Sequence, residues 1–169
     1  LNMKFYLTGF MGVGKTTIGR EVSDQLQLPF VDLDSHIEQS ENDTISNIFE
    51  TKGEEHFRQL EKKYLLQLSK TPKQEVIALG GGTMCYNNLH LNLTTTGLVT
   101  FLDKDWEDIK NGLNDLSNRP LIKKYNETEL EALYYQRRRF YAYSQLTVPI
   151  NTGFSPKKVV NLLKLLTNR

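Results

Sequence analysis

Lys15 and Thr16 stand directly behind Gly9, Gly12 and Gly14 in the run GFMGVGKTT, and that spacing suits the holding of phosphate. Glycines let successive backbone N–H groups turn to one side as an anion-binding nest. A helix opening at Lys15 aims the positive end of its dipole at the same point. The lysine then reaches the β- and γ-phosphates of a nucleotide, and the hydroxyl of Thr16 suits Mg²⁺. The pattern G-x-x-x-x-G-K-[ST] carries weight only between a strand and a helix. Here an apolar run at residues 5–7 precedes it, and Ile18, Val22 and Leu26 follow at helical spacing. Gly12, Val13, Gly14, Lys15, Thr16 and Thr17 are therefore expected to form a nucleotide-binding P-loop.

Two carboxylates come next. Asp32 and Asp34 lie at the end of a short apolar run at residues 30–33, and in an extended chain their side chains point to one side. Beside a phosphate loop, one could hold a metal-bound water or polarise an acceptor hydroxyl while the other grips that acceptor. The plainer reading makes Asp34 the cap of a helix at residues 35–39 and Asp32 a solvated strand end. Arg58 stands about 100° round its helix from Phe57. It either covers apolar surface with its stem or clamps a carboxylate with its planar fork. Gly80, Gly81 and Gly82 follow a buried strand at residues 75–79. Three glycines there imply close approach of backbone to a ligand, with a simple turn as the alternative. Arg137 interrupts the inward stripe Leu130, Leu133, Tyr134, Tyr141, so it needs an anionic substrate or a buried acidic partner. Arg138 and Arg139 fall on other faces and are expected in solvent. Arg119 lies in a polar segment punctuated by Pro120, which reads either as a lid arginine or as a solvated loop.

The elements that must position these residues form an alternation of strands and helices. Helices are expected at residues 44–50, 54–68, 87–94, 105–116, 127–144 and 155–166, and strands at residues 97–102 and 146–150. A chain of 169 residues buries roughly 70% of its unfolded surface in one domain, and a single domain over 1–169 is expected. The net charge is +1, without a basic or acidic half, which gives no reason to expect a nucleic-acid or membrane partner. Cys85 is the sole cysteine and cannot form an internal disulfide, so a reducing cytoplasm is expected. The first strand starts early in the sequence, so no signal peptide is expected. No repeat or low-complexity segment is present.

Taken together, GFMGVGKTT, DLD, GEEHFR, GGG, RPL and the R-x-x-x-Y of residues 137–141 resemble shikimate kinase, in family order and at family spacing from residue 4 to 166. The resemblance implies an α/β fold of three layers: a five-stranded parallel sheet in order 2-3-1-4-5 flanked by helices, with a mobile lid at about 110–125 and substrate-binding helices at about 34–68. It implies Mg²⁺-dependent transfer of the ATP γ-phosphate to the 3-hydroxyl of shikimate, in aromatic amino-acid biosynthesis; a single domain without an obvious exposed apolar helix face is compatible with a monomer, which is expected. On this resemblance Gly12, Val13, Gly14, Lys15, Thr16, Thr17 and Arg119 bind ATP. Asp34, Arg58, Gly80, Gly81, Gly82 and Arg137 bind shikimate. Thr16 and Asp32 lie at the metal, Asp32 through water, and Lys15, Asp32 and Arg119 serve catalysis. Three positions depart from the family pattern. Arg139 stands where proline is frequent, Gly112 where some members stack an arginine on adenine (Lys110 is the nearest cation), and Ile122 where leucine is usual. Rival readings are a kinase of the same fold acting on gluconate or a nucleoside monophosphate, and a nucleotide-dependent binding protein. A guanine-reading N-K-x-D is missing, since Leu102 is followed by Asp103, Lys104 and Asp105.

Overall fold

The computed structural model describes residues 3–112 and 120–167. Strands β1 (Lys4–Thr8), β2 (Phe30–Asp32), β3 (Val76–Ala78), β4 (Gly97–Asp103) and β5 (Leu146–Pro149) make a five-stranded sheet in the order β2-β3-β1-β4-β5. Every pairing is parallel; Tyr6 stands level with Ile77 on one side and Val99 on the other. The expected strand order holds. A parallel sheet covered on both faces is apolar along its length, and β1 is buried at all five positions while β3 is buried at all three.

Helices α1 (Lys15–Leu26), α2 (Leu33–Glu41), α3 (Ile45–Lys70), α4 (Leu89–Thr96), α5 (Trp106–Lys110), α6 (Pro120–Lys124), α7 (Glu127–Tyr141) and α8 (Pro156–Thr167) cover the sheet. α1 and α8 pack together on it, α1 burying Ile18, Val22 and Leu26 and α8 burying Val159, Val160 and Leu163. α3 comprises the two helices expected either side of Gly53, which breaks the helical path between them. Gly53 adopts φ 82°, ψ 170°, a backbone conformation almost confined to glycine, and turns the segment 45–52 away from the helix that carries Arg58. α5 ends at Lys110, short of the expected residue 116; residues 113–119, Arg119 among them, lie outside the described residues.

At the N-terminal ends of the strands, the fully buried Lys4 donates to Glu75 Oε1 at 2.6 Å, Thr71 Oγ1 at 2.6 Å and the Lys73 carbonyl at 2.7 Å. A buried ammonium has three donors to satisfy, and here all three are met. Among the described residues, no helix is long and apolar enough to cross a membrane.

Candidate active site

The C-terminal ends of β1, β3 and β2 lie side by side, the edge at which ligands of open α/β sheets collect. The loop after β1 starts α1 with Gly14 at φ 92°, a left-handed conformation that glycine adopts without steric cost. No side chain caps α1, and the Ile18 N–H makes the first bond back, to the Gly14 carbonyl at 2.9 Å. The amides of residues 15–17 thus have no intrahelical acceptor, which is the arrangement that receives an anion. α2, α3 and α7, by contrast, are closed by Asp32, Thr44 and Asn126. Lys15 Nζ donates to the carbonyls of Gly9 at 2.8 Å and Phe10 at 2.9 Å, holding its stem across the loop. Val13 is buried in the core.

Asp32 does two jobs at once. Its Oδ2 accepts from Thr16 Oγ1 at 2.6 Å, and its Oδ1 accepts from the Ser35 N–H at 3.1 Å, capping α2. The cap is therefore Asp32 and not Asp34, and the helix starts at Leu33. Asp34 sits in the first turn of α2, so helix geometry and not strand alternation brings the two carboxylates to one cleft. That cleft has a volume of about 580 Å³ and is lined by the phosphate loop, Asp32, Asp34 and the start of the glycine turn.

A smaller recess of about 60 Å³ adjoins it, sharing Asp34, Ile45, Gly80 and Gly81 as walls. Arg58 and Arg137 both line this recess, with Gly82, Met11, Phe49 and Phe57. Arg58 is buried, and its Nη1 donates to Glu61 Oε2 at 2.5 Å and its Nη2 to Glu54 Oε1 at 2.9 Å. The Tyr86 ring stacks 4.4 Å from its guanidinium carbon. Burial works against the charge of Arg58, but Glu61 and Glu54 outweigh it and hold the guanidinium pKa above its ordinary value. The glycine turn fits around these groups. A Cβ on Gly80 would lie 2.7 Å from Glu61 Oε1, and one on Gly82 would lie 2.8 Å from both terminal nitrogens of Arg58.

Arg137 is 2% exposed, and its Nε and Nη1 have no hydrogen-bond partner. No ion pair among the described residues includes it, so the buried acidic partner considered for it is not found there. Of the three adjacent arginines, Arg137 enters the recess and Arg139 is exposed. Arg138 is not simply solvated, since its Nη2 donates to Asp103 Oδ2 at 2.6 Å and its Nη1 to the Tyr134 hydroxyl at 2.7 Å.

Sequence reasoning missed Glu61, Thr83 and Tyr141. Glu61 is fully buried and takes bonds from Arg58 and from Thr83 Oγ1, the latter at 2.5 Å. Its position three residues after Arg58 on one helix was the available signal. The Tyr141 hydroxyl donates to the Gly81 carbonyl, tying α7 to the glycine turn across 60 residues of chain.

A family model described as shikimate kinase matches residues 11–166. The chain belongs to the shikimate kinase family. A shikimate kinase of Bacillus licheniformis is 36% identical over 163 residues, covering 94% of this chain and 92% of that protein. One of Flavobacterium johnsoniae is 36% identical over 169 residues, covering 96% and 98%. The solved structure of shikimate kinase from Acinetobacter baumannii in complex with shikimate superposes with a TM-score of 0.88 at 32% identity, covering 98% of this chain and 93% of that one. Within the shikimate kinase pattern, the three departures fall on different ground. Arg139 is on the exposed face of α7 and Ile122 packs against the core. Gly112 follows α5, where Lys110 is occupied by an ion pair with Glu127 at 2.8 Å. A kinase family that uses ATP implies a divalent metal. The hydroxyl of Thr16 beside the carboxylate of Asp32 offers the hard oxygen donors such an ion takes. Among the described residues no group of three or more His, Cys, Asp or Glu is placed to hold a metal ion.

Proposed function

We propose that this chain transfers the γ-phosphoryl group of ATP to the 3-hydroxyl of shikimate, giving shikimate 3-phosphate and ADP. The observation that carries the reading is the pairing of a phosphate loop with a recess in which the buried Arg137 presents two unpartnered nitrogens beside Arg58. A small carboxylate-bearing polyol answers both halves. Its carboxylate meets Arg58 and Arg137, and its hydroxyls meet Asp34 and the turn formed by Gly80, Gly81 and Gly82.

Gly12, Val13, Gly14, Lys15, Thr16 and Thr17 receive the ATP phosphates, backbone amides and the Lys15 ammonium gathering charge as the γ-phosphoryl loosens from the β-γ bridging oxygen. Thr16, and Asp32 through water, would hold Mg²⁺, which when bound to the phosphates neutralises part of their charge. Asp32 polarises the acceptor hydroxyl, whose oxygen forms the new bond to phosphorus as the bond to the β-γ bridging oxygen breaks, its proton passing to the Asp32 carboxylate or to water and thence to solvent. Arg119, outside the described residues, is proposed as the lid arginine that reaches ATP, with residues 110–125 as the lid. The reading takes 1–169 as one kinase domain acting as a cytoplasmic monomer. Positioning and charge neutralisation supply most of the rate in such chemistry.

The test is ADP release from Mg·ATP with shikimate, gluconate or AMP as acceptor. Stimulation by shikimate alone is expected. Stimulation by another acceptor would retract the carboxylate-site assignment and leave the phosphate loop in place.

A further inference from the structure

Arg137 is buried with two unpartnered nitrogens, so its own bonds do not hold it in the recess; the placement of α7 must. α7 is fixed on either side of Arg137. At its C-terminal end the Tyr141 hydroxyl is bonded to the carbonyl of Gly81. Ahead of Arg137, the Tyr134 hydroxyl donates to the Lys104 carbonyl at 3.0 Å, just beyond β4. Arg138 adds a parallel tie beside that second anchor, bonding Asp103 at the last residue of β4 and the Tyr134 hydroxyl one turn back on α7. Tyr134 in turn packs edge-on against Phe10 of the phosphate loop, with ring centroids 5.5 Å apart. The guanidinium carbon of Arg137 stands 5.9 Å from the same Phe10 ring. One cluster thus touches the end of β4, the phosphate loop and the helix that delivers the acceptor arginine.

We propose that Arg138, through Asp103 and Tyr134, is a positioning residue that sets the register of α7 and so holds Arg137 over the acceptor recess beside the phosphate loop. A guanidinium holds two oxygens through two nitrogens of one rigid planar fork, which a lysine does not offer, and both bonds here are short. This inference rests on the reading of Arg137 as an acceptor-binding group. It assigns Arg138 no contact with either substrate.

The experiment compares Arg138→Ala, Asp103→Ala, Arg138→Lys and Arg137→Ala by steady-state kinetics with shikimate and ATP varied separately. Losing the positioning bond is expected to raise the shikimate KM about tenfold, the scale of a misplaced binding group, with the ATP KM unchanged. Asp103→Ala is expected to move the shikimate KM the same way, because it removes the same anchor. Arg138→Lys, keeping one bond of two, falls between wild type and Arg138→Ala, and it keeps the test open where the alanine variant does not fold.

An effect of long-range charge gives a different pattern. Deleting Asp103 would then leave an added positive field and lower the KM for an anionic acceptor, while deleting Arg138 raised it. That opposition, or an unchanged shikimate KM accompanied only by lower thermal stability, overturns the proposal. Arg137→Ala separates the two levels. An unchanged shikimate KM there fails the site reading itself, whereas a large rise there with none in Arg138→Ala fails the positioning inference alone.

Discussion

At the scale of single residues, Asp32 carries two roles that substitution can separate. Asparagine keeps an oxygen to cap Ser35 but lacks the charge proposed to hold a metal and polarise a hydroxyl. Asp32→Asn is expected to lower kcat at least a hundredfold, about 3 kcal/mol of transition-state stabilisation, while thermal stability stays near wild type. Asp32→Ala should lose the same activity and about 1 kcal/mol of stability besides, the usual cost of a lost cap. Equal kcat for wild type and Asp32→Asn would remove Asp32 from the chemistry. Cys85 offers a pH test. Burial pushes its thiol up to about 11, against the lowering pull of Arg137 and Arg58, and only the thiolate reacts with alkylating agents. At pH 8 the thiolate fraction is therefore small, and alkylation is expected to be on the order of a hundredfold slower than for a free cysteine. The rate should climb with each unit of pH up to about 11, followed by mass spectrometry of the intact chain. A rate at pH 8 matching free cysteine would contradict the burial.

At the scale of elements, the kink in α3 and the glycine turn after β3 make opposite demands on their glycines. A Cβ at Gly53 would meet nothing within 4 Å, so Gly53→Ala tests backbone strain alone. It is expected to cost about 1–3 kcal/mol, a fall in Tm of roughly 3–10 °C for a chain of this size. At Gly82 the Cβ would press on the Arg58 guanidinium, so Gly82→Ala should instead raise the acceptor KM. The same elements show what could be read beforehand. The strands, the phosphate loop and Gly53 as a break were legible because each is written in local pattern: apolar runs, glycine spacing and helical periodicity. The start of α2 was misplaced because Asp34 was expected as its cap, and only the bond from the Ser35 N–H shows that Asp32, two residues earlier, does the capping. Arg137 was legible as a charge on an apolar stripe. The engagement of Arg138 was not, since its partner Asp103 is 35 residues away and meets it only when α7 lies on β4. The bond from Tyr141 to Gly81 was hidden for the same reason.

At the scale of the whole molecule, the strand order places β1 and its phosphate loop at the centre, with β3 and then β2 beside it. The phosphate loop and the recess lined by Arg58 and Arg137 therefore lie at one edge of the sheet without any long excursion of chain. Two of the buried cations, Lys4 and Arg137, lie in contrasting settings. Lys4, at the opposite end of the sheet, has every donor satisfied by protein. Arg137, at the catalytic edge, does not. A buried guanidinium with unmet donors costs stability, and a protein retains such a group where function repays it. Arg137→Met, which keeps a long flexible stem and removes the charge, is thus expected to raise the Tm of the ligand-free protein by about 2–6 °C, corresponding to about 1–2 kcal/mol. The wild type should gain about 2.7 kcal/mol from shikimate at a hundredfold its Kd, and the variant should lose most of that gain. Differential scanning calorimetry with and without shikimate reads both quantities on the same two proteins. A variant that melts lower than wild type and still responds fully to shikimate would mean that Arg137 serves packing, and that the acceptor carboxylate is met elsewhere in the recess.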